Sequence, residues 1–349
     1  MNYVRNAWYV ACWSQDLEPG KPLPITILGE RIVIWRSAGG ALNALEDRCV
    51  HRLAPLSLGR CEGERLRCMY HGLLFGSDGK VVEIPGQDLI PANAQVARYA
   101  VVDRHSWIWL WMGEADAADP ALIPPAVGFD DPDYLLGRGQ LDYAAEARLI
   151  NDNLLDFSHL TYVHANSFGV GNDFAQRQPK ITLLDRGVRF ERWITESQGN
   201  AALRTGGPLD RWQTYDFLIP GILLMWSAGY PLGTAEALEF APPDRADAIT
   251  GLNFTSQAVT PLTERTSRYF FSWGPHRKHG DEALRDGMMQ LAAQAFDEDK
   301  VMIEAQQRVI DQTPEPRIMP TAHDRGVTLF NRLVKKLVQT EEQGNRDAA

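Results

Sequence analysis

Short runs in which apolar and polar positions alternate, separated by turn residues, fill the first 115 residues. A two-residue period is typical of half-buried β-strands. It is clearest at 25–36 and at 104–113, where every second residue from 107 to 111 is a tryptophan. The Asp-Gly pair within 76–80 predicts a hairpin turn between two such runs. The pattern therefore predicts a small all-β domain.

The pattern is interrupted at 113–133, which is rich in Asp, Ala and Pro and has too few large apolar residues for a core. We place the domain boundary in this segment, with one domain at 1–115 and a second at 116–349. A chain of this length is long enough for two domains.

The second domain mixes helical and strand-like patterns. Residues 148–164 look helical at first, and 180–275 alternate strand-like runs with turns. Residues 281–311 predict a long helix and 329–343 an amphipathic one, which we expect to pack on the fold or at a subunit interface. Together these elements predict an α+β protein in which an antiparallel sheet with helices follows a small β domain.

Charge and hydropathy narrow the class of protein. The formal net charge of −10 argues against nucleic-acid binding and would suit a more basic electron donor. The apolar run at 217–226 is too short to span a bilayer, and no signal peptide is credible at the start of the chain. Four cysteines in 349 residues do not make a disulfide scaffold. We expect a cytoplasmic protein without membrane segments.

Cysteine and histidine occur in two mixed pairs, Cys49 with His51 and Cys68 with His71. Zinc fingers usually pair like with like, because all four ligands bind one ion. Two mixed pairs suit a [2Fe–2S] cluster in which one iron takes both thiolates and the other both imidazoles. A structural zinc site and chance proximity stay open as alternatives. Tyr70 is interpreted either as a hydrogen-bond donor to a cluster sulfur or as a packed side chain.

The remaining cysteines, Cys12 and Cys61, lie outside this spacing and are interpreted as ordinary thiols.

A second group of metal-ligand candidates begins with His159 and His164, five residues apart. At 100° per residue they would lie about 140° apart on a regular helix, so either the helix distorts or His164 lies beyond its end. As a pair without a third ligand they would more often be core or surface residues. The nearby Asp156 could accept a hydrogen bond from an imidazole N–H.

The helix predicted at 281–311 offers the third ligand. Its apolar positions form a stripe that we expect to be buried, namely Leu284, Met288, Leu291, Ala295, Met302 and Val309. Asp299 falls about 60° from Leu284, on the apolar side, while Glu298 lies near the other edge and Asp297 points away. A carboxylate that faces a core is costly unless it is paired or bound to metal. Two histidines and one carboxylate form the facial triad of non-haem Fe(II), although a polar residue at a helix margin stays an alternative.

Both groups of residues resemble the large subunits of Rieske non-haem iron oxygenases. The resemblance rests on the Cys-x-His and Cys-x-x-His pairs within 49–75, on Asn-x-x-Asp-x-x-His-x4-His from Asn153 to His164, and on "EDK" at 298–300. It implies a Rieske domain followed by a helix-grip-like catalytic domain, a [2Fe–2S] cluster and mononuclear Fe(II). It also implies a homotrimer in which Asp156 connects the two metal sites of neighbouring subunits, with Asn153 near the iron.

Within that family, the length and "RNAWYVA" at 5–11 resemble vanillate O-demethylase, toluenesulfonate methyl-monooxygenase and dicamba demethylase, and the 210–231 segment is most similar to the first two. The resemblance implies that O₂ and electrons from a separate NAD(P)H-dependent reductase, of flavin or ferredoxin type, oxidise a methoxy or methyl group of a small aromatic acid. O-demethylation with formaldehyde release is the favoured reaction. The alternatives are an aryl-sulfonate methyl-monooxygenase, a ring cis-dihydroxylase, a Rieske electron carrier and a zinc-stabilised binding module.

The anchor for the acid group is not evident from the sequence. The segment at 276–280, "HRKHG", contains two cations but also fits a solvated turn or a reductase-docking patch. Trp212, Trp226 and Tyr230 could stack on a substrate ring, although single aromatic residues in strands are more often core residues.

Overall fold

The computed structural model describes residues 3–168, 173–197, 208–315 and 317–347. Two compact units divide the chain, one of Tyr3–Ile123 with Thr260–Glu264 and one of Pro124–Val259 with Arg265–Ala349. The division after Ile123 falls inside the 113–133 segment. The domain limits 1–115 and 116–349 stay a prediction.

The first unit is built from antiparallel β-strands in three small sheets, ordered β1-β10-β9, β2-β3-β4 and β5-β6-β7-β8. The strands are β1 (Trp8–Trp13), β2 (Leu23–Ile27), β3 (Glu30–Arg36), β4 (Leu42–Glu46), β5 (Arg60–Glu62), β6 (Arg65–Arg67), β7 (Leu74–Phe75), β8 (Val81–Glu83), β9 (Val101–Arg104) and β10 (Trp107–Trp111). The predicted all-β domain is confirmed, including the hairpin between β7 and β8. All five residues of β10 are buried, which explains why large aromatic residues dominate this strand.

The second unit contains one seven-stranded sheet, ordered β11-β17-β16-β15-β14-β13-β12. Its strands are β11 (Gly137–Tyr143), β12 (Lys180–Leu184), β13 (Gly187–Ser197), β14 (Leu209–Leu218), β15 (Ile222–Tyr230), β16 (Thr250–Pro261) and β17 (Ser267–Pro275). Its helices are α1 (Ala147–Leu155), α2 (Asp173–Gln176), α3 (Thr234–Ala237), α4 (Glu282–Asp311) and α5 (Arg325–Asp347). The predicted α+β class, an antiparallel sheet with helices, is confirmed.

Helices cover one face of this sheet. On α4, Phe296 packs edge-on against Tyr269 and Phe271 of β17, with ring centroids 5.1 and 4.7 Å apart. On α5, Phe330 contacts Phe217 of β14 at 4.9 Å. We call this side of the sheet the helix-covered face. The opposite side carries its own apolar cluster, composed of Trp193, Trp212, Ala228, Tyr230, Ala235 and Leu252.

The prediction for α4 was partly wrong. Met302 and Val309, expected in the buried stripe, are 57% and 63% exposed. The buried side of the helix instead consists of Met288, Leu291, Ala292, Ala295, Phe296, Asp299, Ile303 and Gln307. The predicted stripe was centred on apolar residues alone. Because Asp299 and Gln307 are also buried, the true buried side of α4 lies further round the helix, toward these two polar residues.

The region 148–164 is not one helix. The helix α1 ends at Leu155, Asp156 has an extended backbone, and a short 3₁₀ helix follows at Phe157–Thr161. His164 lies beyond that second helix. This agrees with the predicted alternative in which His164 follows the end of the helix. Among the described residues, no helix combines the length and the apolar character needed to cross a bilayer.

Candidate active site and metal centres

Two loops in the first unit carry the cysteine and histidine pairs on the same backbone framework. In each loop the cysteine N–H donates to the carbonyl five residues later, at 2.8 Å from Cys49 and at 2.8 Å from Cys68. The residue four positions on, Leu53 or Gly72, donates back to the cysteine carbonyl, at 2.9 Å in both loops. Both of these residues have positive φ, 58° and 78°. The two loops therefore present their cysteines in equivalent backbone settings.

The thiols of these two loops are buried, whereas the imidazoles are exposed. Cys49 and Cys68 are 2% and 1% exposed within an apolar cluster, whereas His51 and His71 lie at the surface with ring centroids 4.5 Å apart. Burial raises the pKa of Cys49, and desolvation lowers the pKa of His71. A buried thiol pair beneath a surface imidazole pair fits a cluster with one sulfur-bound and one nitrogen-bound iron.

The first unit contains three further residues discussed above, namely Tyr70, Cys12 and Cys61. Tyr70 is 61% exposed, so it is not a packed core residue, and its ring centroid lies 4.0 Å from that of His71. All four cysteines are free thiols, with Cys12 buried and Cys61 half-buried. Burial raises the pKa of Cys61, which keeps this thiol protonated and unreactive.

In the second unit, Asp156 has an extended backbone between the end of α1 and the 3₁₀ helix that carries His159. The carboxylate of Asp156 accepts a hydrogen bond from the Ser158 N–H at 2.8 Å and caps the 3₁₀ helix. The main-chain carbonyl of Asp156 lies 2.5 Å from Nδ1 of His159. This contact fixes the ring orientation and directs Nε2 away from the turn.

His159, His164 and Asp299 form one group in which a ligand atom of each residue lies within 4.8 Å of the other two. Nε2 of His159 is 3.5 Å from Oδ1 of Asp299, and Nε2 of His164 is 3.3 Å from Oδ2. Asp299 is only 4% exposed. Burial lowers the pKa of His159, which favours the neutral imidazole that binds metals. Two imidazoles and a buried carboxylate fit mononuclear iron.

Glu298, assigned no role from the sequence, is part of the same site. Its carboxylate lies 2.9 Å from Nδ1 of His164 and accepts a hydrogen bond from Ser167 at 2.6 Å. Burial opposes ionisation of Glu298, but the hydrogen bonds from Ser167 and His164 lower its pKa. Burial likewise opposes protonation of His164, and the neighbouring Asp299 and Glu298 outweigh it and raise the pKa of that imidazole.

The two further candidates lie close to the group. The Asn153 side-chain amide donates to Oδ1 of Asp299 at 3.1 Å. Asp156, which could accept an imidazole N–H, contacts Nδ1 of His159 through its main-chain carbonyl.

The aromatic and cationic residues considered as substrate anchors lie outside the group of His159, His164 and Asp299. Arg277 and Lys278 are exposed in a turn, which agrees with the solvated alternative. Trp212 and Tyr230 belong to the cluster on the side of the sheet opposite the helices. The guanidinium of Arg245 lies 4.3 Å from the ring of Trp226.

The fold and the two sites define a Rieske-type oxygenase with a [2Fe–2S] cluster and mononuclear iron as its cofactors. Residues 7–99 match the Rieske [2Fe-2S] domain, and residues 143–340 match the vanillate O-demethylase oxygenase C-terminal domain. The chain belongs to this family of Rieske monooxygenase components.

Similar proteins cover nearly the full length of the chain. A putative toluene-4-sulfonate monooxygenase system iron–sulfur subunit of Comamonas testosteroni is 37% identical over 98% of this chain and 99% of its own. A vanillate O-demethylase oxygenase subunit of a Pseudomonas species is 34% identical over 99% and 98%. A crystal structure of dicamba monooxygenase with bound dicamba superposes with a TM-score of 0.84 at 30% identity, over 98% and 99%.

Proposed function

We propose that this enzyme oxidises a methoxy group of a small aromatic acid to release formaldehyde and a phenol. The observation that carries the proposal is the buried group of His159, His164 and Asp299, within a domain that matches the vanillate O-demethylase oxygenase model. The vanillate and dicamba relatives are both named O-demethylases.

Each side chain has a defined part in this proposal. The bound iron would activate O₂ and the cluster would supply stored electrons. His159, His164 and Asp299 are the iron ligands, and Cys49, His51, Cys68 and His71 hold the cluster. Asn153 donates a hydrogen bond to the ligand carboxylate, and the Asp156 carbonyl orients His159. Phe157, with its ring centroid 6.4 Å from that of His159, and Phe168, at 5.2 Å from that of His164, help to exclude water.

The overall reaction balances with one O₂, two electrons and two protons per methoxy group. One oxygen atom enters the methoxy carbon as a hydroxyl and the other leaves as water. The resulting hemiacetal loses formaldehyde and leaves the phenol. The same oxidation of an aryl methyl group gives an alcohol. A relative named toluene-4-sulfonate monooxygenase subunit, at 37% identity, makes this the second candidate.

We propose further that electrons come from a separate reductase, that the oxygenase is a homotrimer and that it is cytoplasmic. Relatives named as subunits or components of larger systems support the separate reductase. Exposed apolar side chains on α4, including Met302 and Val309, support an interface between copies. Two thiols placed beside histidines suit a reducing compartment. Mass measurement of the native assembly tests the trimer.

A single turnover tests the reaction. The enzyme is reduced chemically without a reductase and then exposed to O₂ with methoxy- and methyl-substituted benzoates and benzenesulfonates. Formaldehyde with an equal amount of phenol is the expected result. A benzylic alcohol without formaldehyde would favour the second candidate, and a diol would indicate a ring dihydroxylase. No product from any acid with iron-replete enzyme would overturn the proposal.

A further inference from the structure

The helix-covered face of the sheet carries polar side chains and contacts the iron-site histidines through two aromatic rings. Phe157, next to His159, stacks on Tyr215 of β14 with ring centroids 4.5 Å apart. Phe168 lies between His164 and Trp273 of β17, with centroid distances of 5.2 and 6.1 Å. Both histidines are therefore connected through one aromatic ring to the same face of the sheet.

Arg211 lies on this face. It precedes Tyr215 by four residues in β14, whose register with β15 is continuous, so both side chains point to the same side. Arg211 pairs with Gly229 of β15, which has no side chain to obstruct it. Its guanidinium nitrogens lie 3.7 and 3.9 Å from the position that a Cβ on Gly251 would take. The side chain thus extends across β15 to the start of β16.

The guanidinium of Arg211 makes no ion pair or hydrogen bond with any residue that the structure describes. Burial, without any compensating charge, lowers the pKa of Arg211. Arg189 of β13 provides the contrast, because it points to the opposite side and forms a bidentate pair with Asp216 at 2.6 and 2.8 Å. A desolvated cation without a counter-ion is costly, and an anionic ligand would remove that cost.

Groups beside Arg211 can complete an anion site. Gln213 pairs directly with Ser227, so the two side chains lie next to each other on the helix-covered face. The Ser227 hydroxyl accepts from Asn253 at 3.0 Å, which leaves its own proton free to donate. Asn253 is held in turn by a 2.9 Å hydrogen bond from Nε1 of Trp273.

We propose that Arg211, with the Ser227 hydroxyl beside it, binds the carboxylate or sulfonate of the aromatic substrate and so directs its methoxy or methyl group to the iron. This inference rests on the proposed function and deepens it, because it assigns the residue that selects acids over neutral aromatic compounds. Arginine suits this role since its planar fork matches both kinds of oxyanion.

The test compares R211M and R211K with R189M, which removes an arginine from the neighbouring strand on the opposite side of the sheet. Vanillate, 4-methoxybenzoate and toluene-4-sulfonate are the probes, and each is paired with its neutral primary amide or sulfonamide. Binding to anaerobic holoenzyme is measured by calorimetry, followed by kcat and KM with a reductant. Iron content and thermal unfolding verify that each variant is intact. Removing an unpaired charge should not lower the Tm of R211M.

The expected result is a loss of affinity for the acids of roughly 10- to 100-fold in R211M, with affinity for the amides changed less than about threefold. The loss should appear in KM more than in kcat, R211K should recover part of it, and R189M should match the wild type. The class of acid, carboxylate or sulfonate, that loses more affinity in R211M is the oxyanion that Arg211 prefers.

Two negative results have different meanings. If the wild type oxidises an acid and R211M retains the wild-type preference for that acid over its amide, Arg211 is not the anchor, although the proposed function stands. If the wild type oxidises none of the acids, or only neutral compounds, the proposed function fails and the inference fails with it.

Discussion

Glu298 and Asp299 are adjacent in α4 but contact opposite ends of one imidazole. Asp299 approaches Nε2 of His164 at 3.3 Å, and Glu298 approaches Nδ1 at 2.9 Å. A histidine whose second nitrogen is bound to a carboxylate has a fixed tautomer and ring orientation, and is a more basic ligand. Glu298 therefore acts as a positioning residue for the metal site, and Ser167 fixes its carboxylate in turn.

Replacing Glu298 by glutamine should weaken retention of the mononuclear iron. An amide cannot supply the charge that orients His164, and loss of such a partner typically lowers metal affinity about 10- to 100-fold. Competition with an Fe(II) chelator, followed by counting of the iron left on the protein, measures the effect. Asp297→Asn, at an exposed position one residue earlier, is the control. Equal iron retention in both variants would contradict the role of Glu298.

Residue identity alone predicted some of these positions and not others. Asp299 was found because a carboxylate on the apolar side of a helix is physically unusual. Glu298 has no such signature, since its contact depends on where a distant segment brings His164. Arg211, the proposed anchor, also has no sequence signature, because a polar residue in a strand is normally assigned to the solvent side.

At the scale of the element, the two cluster loops depend on one backbone position with positive φ. Leu53 and Gly72 occupy this position in the first and second loop. Leucine tolerates it at a cost, whereas at Gly72 an added Cβ would lie 2.8 Å from Cγ of Pro85. The second loop therefore needs glycine for conformation and for space.

Gly72→Ala should destabilise the protein and release the cluster more easily. The left-handed conformation alone costs a non-glycine residue about 1–2 kcal/mol, and the contact with Pro85 adds to that. Gly86→Ala is the matched control, because Gly86 has a similar φ of 75° but nothing within 4 Å of an added Cβ. Thermal unfolding and visible absorption of the cluster are the measurements. If both variants lose the same stability, steric contact at Gly72 is irrelevant.

Arg67 of β6 connects three strands of the sheet that carries the second loop, namely β5, β6 and β8. Its guanidinium donates to Glu62, to Glu83 and, at 2.8 Å, to the carbonyl of Gly72. Hydrogen bonds from Arg67 and Arg60 lower the pKa of Glu62 from 4.5 to about 2. Because the pKa is lower in the folded state, this contribution to stability is complete above about pH 4.5 and is lost as the pH falls toward 2.

Arg67→Met should therefore be less stable than the wild type at pH 7, with a difference that shrinks as the pH is lowered from 4.5 toward 2. Unfolding by urea at several pH values measures this dependence. Arg332→Met, at an exposed position of α5, should show a small difference that does not vary over that range. A deficit of Arg67→Met that stays constant to pH 3 would exclude Glu62 as its source.

At the scale of the whole molecule, each compact unit contains the full set of protein ligands proposed for its own metal centre. The four proposed cluster ligands lie within Tyr3–Ile123, and the three proposed iron ligands lie within the second unit. The sequence could suggest this division because the cysteine and histidine pairs lie within 49–71 and the two iron-site histidines are five residues apart, whereas Asp299 was proposed from helix periodicity. It could not predict the helix-covered face of the sheet, which is assembled from strands distant in sequence.

Separate ligand sets imply that one centre can be lost without the other. His159→Ala should bind about two irons per chain instead of about three and keep the visible absorption of the cluster, because its four ligands are untouched. His71→Ala should lose that absorption and retain mononuclear iron. His323→Ala removes a histidine of the second unit outside the iron group and should keep both centres. Simultaneous loss of both centres in His159→Ala, with the fold intact by circular dichroism, would show that the cluster depends on the second unit.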